Sequence, residues 1–340
     1  TIIHLVAISE QTSVVDRIID ATLQIEGAYS FLAMTDTALV GVRDPHGVRP
    51  LILGQLDGAY LLTSETCALD IIGADYIRDI DPGEMVVITE SGIQSIKPFP
   101  KQKHRFCIFE YIYFARPDSV LEGKSVYDAR TRIGAELSRE SSVEADVVIP
   151  VPDSGVPAAI GYAHESGIPF ELGIIRNHYV GRTFIEPTDN IRHLGVKLKH
   201  NANRAIIEGK RVILVDDSIV RGTTSRKIVE MVRRAGAAEV HMRISSPPTA
   251  HPCYYGIDKP EKEELMASRF DLAGMAREIG VDSLAYISMD GLYRAMGEAS
   301  RNNESPQFCD ACFSGEYPIT VFDRKSGKAP AQLSLLSERS

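Results

Sequence analysis

The sequence predicts two styles of fold in one chain. A β-rich layer fills about the first ninety residues, and a doubly wound α/β domain with a mainly parallel sheet follows. Three observations carry this expectation. Short apolar runs separated by turn signals occupy the first part. From about residue 100, strand-like and helix-like stretches alternate. Between the two styles lies IKPFPKQKH (96–104), a proline- and lysine-containing stretch suited to a linker. The chain's 340 residues fit two domains at roughly 100–200 residues each.

The elements follow in order. Ahead of residue 14 a strand is expected. Next, the spacing of Val14, Val15, Ile18, Ile19 and Leu23 predicts a helix, with Ser13 and Asp16 placed to cap it. Short strands come next: AYSFLAM, ALVGV, PLILG, AYLLT and, later, MVVIT. Asp44-Pro45, Asp57-Gly58, Asp81-Pro82-Gly83 and Ser91-Gly92 punctuate them. The connection Gln55-Leu56-Asp57-Gly58 is too short for a crossover, so this layer is not parallel throughout. In the second part, DVVIPVP leads through Asp153-Ser154-Gly155 into a helix PAAIGYAHES, and RVILVDD leads through a polar loop into SRKIVEMVRRAG. EVHMRISS is a further strand, and the tail DRKSGKAPAQLSLLSERS has no defensible period.

A net charge of −9 argues against sequence-independent nucleic-acid binding, which needs lysines and arginines to neutralise phosphates. No apolar run approaches the roughly 18–20 residues that span a bilayer, and the start lacks a signal peptide's basic flank and cleavage site. A cytoplasmic protein with no membrane and no nucleic-acid partner is therefore expected. Five cysteines in a chain of this length do not resemble the dense framework of a small secreted domain. Residue 1 is Thr rather than Met.

The chemistry concentrates in residues 212–225, VILVDDSIVRGTTS. Four apolar residues suit a strand buried on both faces, and Asp216 and Asp217 arrive at its C-terminal end, where open α/β sheets place ligands. Gly222 allows close backbone approach, while Thr223, Thr224 and Ser225 bring hydroxyls and N–H groups to a helix N-terminus, a ready anion site. Adjacent carboxylates would repel a phosphate. They suit a sugar diol or a magnesium ion instead, and the parts together describe a sugar phosphate. A lone Asp-Asp pair would read first as a polar strand end with a helix cap; the whole fourteen-residue string is what favours a site.

This string resembles the phosphoribosyl-pyrophosphate signature of type I phosphoribosyltransferases, and is similar in nearly this form to that of the glutamine phosphoribosylpyrophosphate amidotransferases. Pro150-Val151-Pro152-Asp153-Ser154-Gly155 resembles that family's pyrophosphate loop. Asn177–Phe184 with Asn201-Ala202-Asn203-Arg204 resembles its flexible loop. Gly27-Ala28-Tyr29-Ser30, Arg43–Leu51 and Ser64–Leu69 resemble its glutaminase domain. The likeness implies a partial N-terminal-nucleophile glutaminase domain at 1–98, a type I phosphoribosyltransferase domain at 99–300, and a C-terminal segment at 301–340. It implies the reaction that opens purine synthesis: glutamine, phosphoribosyl pyrophosphate and water giving 5-phosphoribosylamine, glutamate and pyrophosphate. Purine nucleotides would inhibit, and the assembly would be a homotetramer.

Carried over residue by residue, Asp216 and Asp217 would meet the ribose hydroxyls and the magnesium shell. Ser218 and Arg221 to Thr224 would cradle the 5′-phosphate. Asp153, Ser154 and Gly155 would serve the pyrophosphate, with Ser154 joining the metal, and Lys199 would add a contact from the flexible loop. Magnesium takes oxygen ligands and keeps waters, so a sparse set of carboxylates and hydroxyls suits it. Residues 176–204 hold six arginines and lysines against Glu186 and Asp189, a local excess of +4. Such a loop is also an ordinary solvated one; in the family it closes over the activated sugar and excludes water. Arg176 stands where some relatives have lysine.

Cys309 and Cys312 form a C-x-x-C pair, with Cys107 and Cys253 far upstream. Spacing alone leaves three readings open: a zinc half-site, a redox pair or part of an iron–sulfur cluster. The resemblance implies that Cys107, Cys253, Cys309 and Cys312 ligate a [4Fe–4S] cluster, as in one branch of the family, with zinc as the alternative. Cys67 reads as a small buried hydrophobe between strands. The family's glutaminase nucleophile is an N-terminal cysteine that comparison places about 140 residues ahead of Thr1. The expectation is thus an N-terminally truncated chain able to run only the ammonia-dependent half. The competing function class is a non-catalytic nucleotide-sensing regulator on the same fold; a base-salvage enzyme would leave residues 27–69 and the cysteines unexplained.

Overall fold

A computed structural model describes residues 2–177, 200–257 and 261–320. The chain opens with two helices, α1 (Ile2–Ile8) and α2 (Val14–Leu23). The strand expected ahead of residue 14 is therefore a helix. Its β-branched start IIHLVAI reads as a strand, but none of its residues is buried and it lies against α2, not in a sheet. The cap of α2 is as expected: Ser13 Oγ accepts the Asp16 N–H at 3.0 Å and donates to the Asp16 carboxylate at 2.6 Å.

Strands β1 (Ser30–Met34), β2 (Leu39–Arg43), β3 (Ile52–Leu56) and β4 (Ala59–Thr63) match the apolar runs. Helix α3 (Thr66–Ile72), β5 (Asp75–Asp79), β6 (Met85–Thr89) and β7 (Gly92–Ile96) complete this half. Two antiparallel sheets result, ordered β1-β2-β6-β7 and β4-β3-β5. Cys67 is buried and lies between strands β4 and β5 as expected, on the short helix α3.

After residues 97–105, which hold no helix or strand, come β8 (Phe106–Cys107), a π-helical turn (Glu110–Phe114), and the short pair β9 (Val120–Leu121) and β10 (Lys124–Ser125). Helix α4 (Val126–Glu140), β11 (Val147–Pro150) and α5 (Val156–Ser166) follow. A small antiparallel pair, β12 (Ile174–Arg176) and β13 (His200–Ala202), precedes α6 (Arg204–Ile207). Then come β14 (Arg211–Asp216), α7 (Thr223–Arg234), β15 (Glu239–Ile244), α8 (Met266–Arg269), α9 (Leu272–Ile279), β16 (Ser283–Tyr286), α10 (Met289–Ala295), β17 (Phe308–Cys309) and α11 (Ala311–Ser314).

Strands β11, β14, β15 and β16 form one parallel sheet in that order. Alternation along its strands feeds two cores. Val148, Ile213 and Val215 pack with Ile133 of α4 and Ala159 and Tyr162 of α5. Val147, Ile149, Val212 and Leu214 pack with Ile228 and Val232 of α7 and Met275 and Ile279 of α9. Helices on both faces make the continuous apolar runs necessary, because neither face of a strand meets water. The first core also takes in Val48, Ile52 and Leu69 from the β-rich half.

Candidate functional site

Strands β11 and β14 are neighbours with Pro150 opposite Val215, so the loops that leave them emerge side by side at the C-terminal edge of the sheet. The Val151 N–H donates to the Val215 carbonyl at 2.8 Å. Gly155 is pressed against the same strand end: a Cβ there would stand 2.4 Å from the Val215 oxygen. Asp153–Gly155 and Asp216–Gly222 are thereby brought together, as the motifs required. Asp153 is exposed and pairs with Arg176.

Asp216 and Asp217 are both buried, each 7% exposed. The Asp217 N–H donates to Asp216 Oδ1 at 2.9 Å, and Ser218 Oγ donates to Asp217 Oδ2 at 2.5 Å. Burial, and then the charge of Asp217, push the Asp216 carboxyl well above the usual carboxylate range. Two adjacent carboxylates in a dry strand end create a demand for a cation or hydroxyl donors, and magnesium fits an all-oxygen set of Asp216, Asp217 and Ser154. The Asp216 carbonyl is fixed by Ser245, whose N–H and hydroxyl both donate to it, at 2.9 and 3.2 Å.

The turn into α7 ends at Gly222, whose φ of +78° favours glycine and whose Cβ position lies 2.5 Å from Met266 Sδ. Among the described residues no side chain caps the helix, and its first residues, Thr223 and Thr224, are exposed, so its first-turn N–H groups are open to an anion. Arg221 pairs with Glu264 at 2.7 Å, both half-exposed, an interaction weak enough for a phosphate to displace. A cavity of about 760 Å³ borders Thr223 and is edged by Arg204, Arg226, Lys227 and Arg234.

Arg130 carries no motif, and sequence reasoning passed over it. It is buried on α4 and donates to the carbonyls of Tyr111, Glu110 and Ala115; burial disfavours its charge and lowers its pKa, against the opposing pull of Asp217. Its burial is not periodic in any informative way, so only the fold reveals it. Ser246 and Thr249, fully buried beyond β15 with unpartnered hydroxyls, escaped notice likewise. Lys199 and residues 178–184 of the flexible-loop expectation lie outside the described residues.

The four expected cluster cysteines approach one another from three segments. Strands β8 and β17 pair in parallel with Cys309 opposite Cys107. The carbonyl of Cys312 accepts the N–H groups of Ala250 and His251 at 3.2 and 3.1 Å, and the Tyr255 N–H donates to Cys253 Sγ at 3.4 Å. Burial pushes the Cys107 thiol up to about 12, with Glu110, Cys312 and Cys253 adding to it; burial and the other three cysteines raise Cys309 too. Among the described residues, no three His, Cys, Asp or Glu side chains close on a single metal-ion position.

The family profile described as a phosphoribosyl transferase domain matches residues 117–263. The amidophosphoribosyltransferase of Rhizobium etli is 58% identical over 342 residues, covering 99% of this chain and 69% of that protein. That of Synechocystis is 53% identical, covering 91% of this chain and 62% of its own length. That of Bacillus subtilis is 49% identical, covering 94% and 67%. The chain is also similar to the solved structure of the B. subtilis glutamine phosphoribosylpyrophosphate amidotransferase complexed with ADP and GMP. Its TM-score is 0.88 at 48% identity, over 94% of this chain and 70% of that one. Among the described residues, no helix is long and apolar enough to cross a membrane.

Proposed function

This chain belongs to the amidophosphoribosyltransferase family, glutamine amidotransferases and pentosyltransferases that catalyse the first step of purine biosynthesis, and from that premise we propose how its residues serve the reaction. The observation that carries the reading is the side-by-side emergence of the Asp153–Gly155 and Asp216–Gly222 loops at one sheet edge. Asp216 and Asp217 accept hydrogen bonds from the ribose hydroxyls. Ser218, Arg221, Gly222, Thr223 and Thr224 receive the 5′-phosphate, and Asp153, Ser154, Gly155 and Lys199 serve the pyrophosphate. Ammonia forms its bond to C1 as the C1–oxygen bond to pyrophosphate breaks, and one ammonia proton leaves to solvent.

Magnesium, held by Ser154, Asp216 and Asp217, would supply charge stabilisation to the pyrophosphate leaving group. The chain's own contribution is positioning: the uncapped helix fixes one end of the sugar, and the two carboxylates fix its ring. Residues 1–98 correspond in this reading to glutaminase domain, 99–300 to the phosphoribosyltransferase domain and 301–340 to a C-terminal segment. No residue of this chain is assigned to glutamine hydrolysis. The nucleotides in the B. subtilis complex support purine nucleotides as inhibitors here, and a four-chain cytoplasmic assembly follows from the resemblance.

Cys107, Cys253, Cys309 and Cys312 are read as ligands of a [4Fe–4S] cluster, which when bound supplies a redox-active cross-link between the three segments. Zinc needs four sulfurs about 2.3 Å from one ion. Cys107, Cys309 and Cys312 are buried and Cys253 half-buried, and four cysteine sulfurs drawn from three segments would suit a Cys-ligated cluster.

The test is phosphoribosylamine formation from phosphoribosyl pyrophosphate with ammonia and, separately, with glutamine, each with and without magnesium. Ammonia-dependent, magnesium-dependent turnover is expected. Binding without turnover would instead point to a non-catalytic regulator.

A further inference from the structure

Asp310 lies between Cys309 and Cys312 and is 1% exposed. A carboxylate buried so deeply is costly unless it is fully paired. Here it is. Its Oδ2 accepts the Tyr293 hydroxyl at 2.7 Å and Arg301 Nε at 2.6 Å, while its Oδ1 accepts Ser314 Oγ at 2.8 Å and Arg301 Nη2 at 3.2 Å. Arg301 is itself buried, and its other groups bond Asn303 at 2.9 Å, Glu316 at 2.6 Å and, through the backbone N–H, Asp290 at 3.1 Å.

The network also shapes the backbone. The Asp310 carbonyl accepts the Phe313 and Ser314 N–H groups at 2.8 and 3.1 Å, closing the turn on which Cys312 sits. Tyr293 anchors that turn to α10, which packs on α4. Apolar residues at both 301 and 310 would fill the same space without the cost of burying two charges. The charged pair therefore asks for a purpose beyond packing, and the groups it adjoins are two thiols, not the sugar-phosphate site.

We propose that Asp310, held by Arg301 and Tyr293, is a positioning residue for the cysteine cluster: it fixes the C-x-x-C turn and sets the charge beside the thiolates. The proposal rests on the iron–sulfur reading of Cys107, Cys253, Cys309 and Cys312. Residues behind metal ligands hold them in place, and their loss costs about 10–100-fold in metal retention. The charge around a cluster is one of the levers on its reduction potential. Asp310→Asn removes one negative charge next to two ligands, so the potential should move positive. Arg301→Gln added to Asp310→Asn takes away a positive charge and should bring it back.

The experiment uses the anaerobically purified chain, wild type, Asp310→Asn, Tyr293→Phe and the Asp310→Asn/Arg301→Gln double variant. Folding is checked by circular dichroism and by thermal stabilisation with phosphoribosyl pyrophosphate. In Asp310→Asn, iron release to a chelator is expected to be about 10–100-fold faster, with the potential shifted positive. Tyr293→Phe, which removes a hydrogen bond and no charge, should speed release less and leave the potential in place. Unchanged release and potential in a folded Asp310→Asn would overturn the proposal. If the wild type holds no iron, the cluster reading itself has failed. The rate at which the cysteines react with a thiol reagent then tests the turn separately: faster in Asp310→Asn supports the clamp, equal rates sink it.

Discussion

Asp216 shows function and stability pulling in opposite directions at one residue. Burial and the neighbouring Asp217 disfavour its charged form, so the folded chain carries a cost there in the absence of ligand. Asp216→Asn should therefore raise Tm by a few degrees in unliganded protein. The same change removes a charged acceptor; such hydrogen bonds are worth about 1.5–3 kcal/mol, so affinity for phosphoribosyl pyrophosphate should fall roughly 10–100-fold. Calorimetry on both proteins checks the pair of signs, and a lower Tm with intact affinity would contradict them. Gly222 makes a second case. With φ of +78° and Met266 Sδ 2.5 Å from its Cβ position, Gly222→Ala should destabilise by about 1–2 kcal/mol in urea titrations and weaken phosphate binding, because the turn delivers the helix N-terminus. Both residues were legible in the sequence because strand, carboxylates, glycine and hydroxyls fall within fourteen consecutive positions. Arg130, which bonds the π-helical turn from α4 and senses the charge of Asp217, was not, because nothing local marks it.

Among elements, the crossing of α4 and α5 sets the tightest tolerance. Gly134 and Gly161 let the two helix backbones meet: a Cβ on Gly134 would stand 1.9 Å from the Ala158 oxygen, and one on Gly161 1.9 Å from the Thr131 oxygen. Backbone cannot swing aside as a side chain can. Gly134→Ala should cost about 3 kcal/mol despite alanine's better helix propensity, and chemical denaturation would show it as a fall in midpoint at constant slope. Stability equal to wild type would mean the helices can part. The parallel half of the fold was readable because its strands are buried on both faces and spell unbroken apolar runs. The β-rich half was readable only in part. β5, DYIRD, is bounded by aspartates and half-exposed, and α3 is a single short helix, so neither rises above its turn-rich surroundings. α1 inverts the local signal: Val6 packs with Ile18 and Ile19 of α2, while Ile3 and Ile8 stay exposed, so no sheet draws its β-branched residues in.

At the scale of the whole molecule, the change of style near residue 98 is not matched by a break in packing. Val48 and Leu69 share a core with Phe106 and Ile133, Glu65 accepts the Arg116 N–H and Ser119 hydroxyl at 2.7 and 2.8 Å, and Arg43 pairs with Glu122 at 2.6 Å. These contacts join positions far apart in sequence, which no local pattern records. Glu110 lies at this junction. Arg49 Nη1 stands 3.0 Å from its carboxylate in an ion pair whose angle is not that of a hydrogen bond, and the Arg49 guanidinium stacks on Phe114. Burial dominates over Arg49 and lifts the Glu110 carboxyl to about 7. The folded chain thus binds this proton more tightly than the unfolded chain, whose ordinary value is 4.5. The stability it contributes is complete below about pH 4.5, falls as pH rises, and is gone above about 7, a swing on the order of 3 kcal/mol. Glu110→Gln keeps the neutral shape and cannot titrate. Its Tm should match wild type near pH 5 and exceed it near pH 8, with the difference opening between those values. Taking the difference cancels the other carboxylates of this half, Asp44 and Asp79 raised by burial and Glu84 lowered because hydrogen bonds from Arg78, Ser95 and the Asp81 N–H together outweigh its burial, since they are common to both proteins. Parallel Tm curves would mean that Arg49 holds Glu110 charged throughout, and that the two halves are joined there by an ion pair rather than by a buried acid.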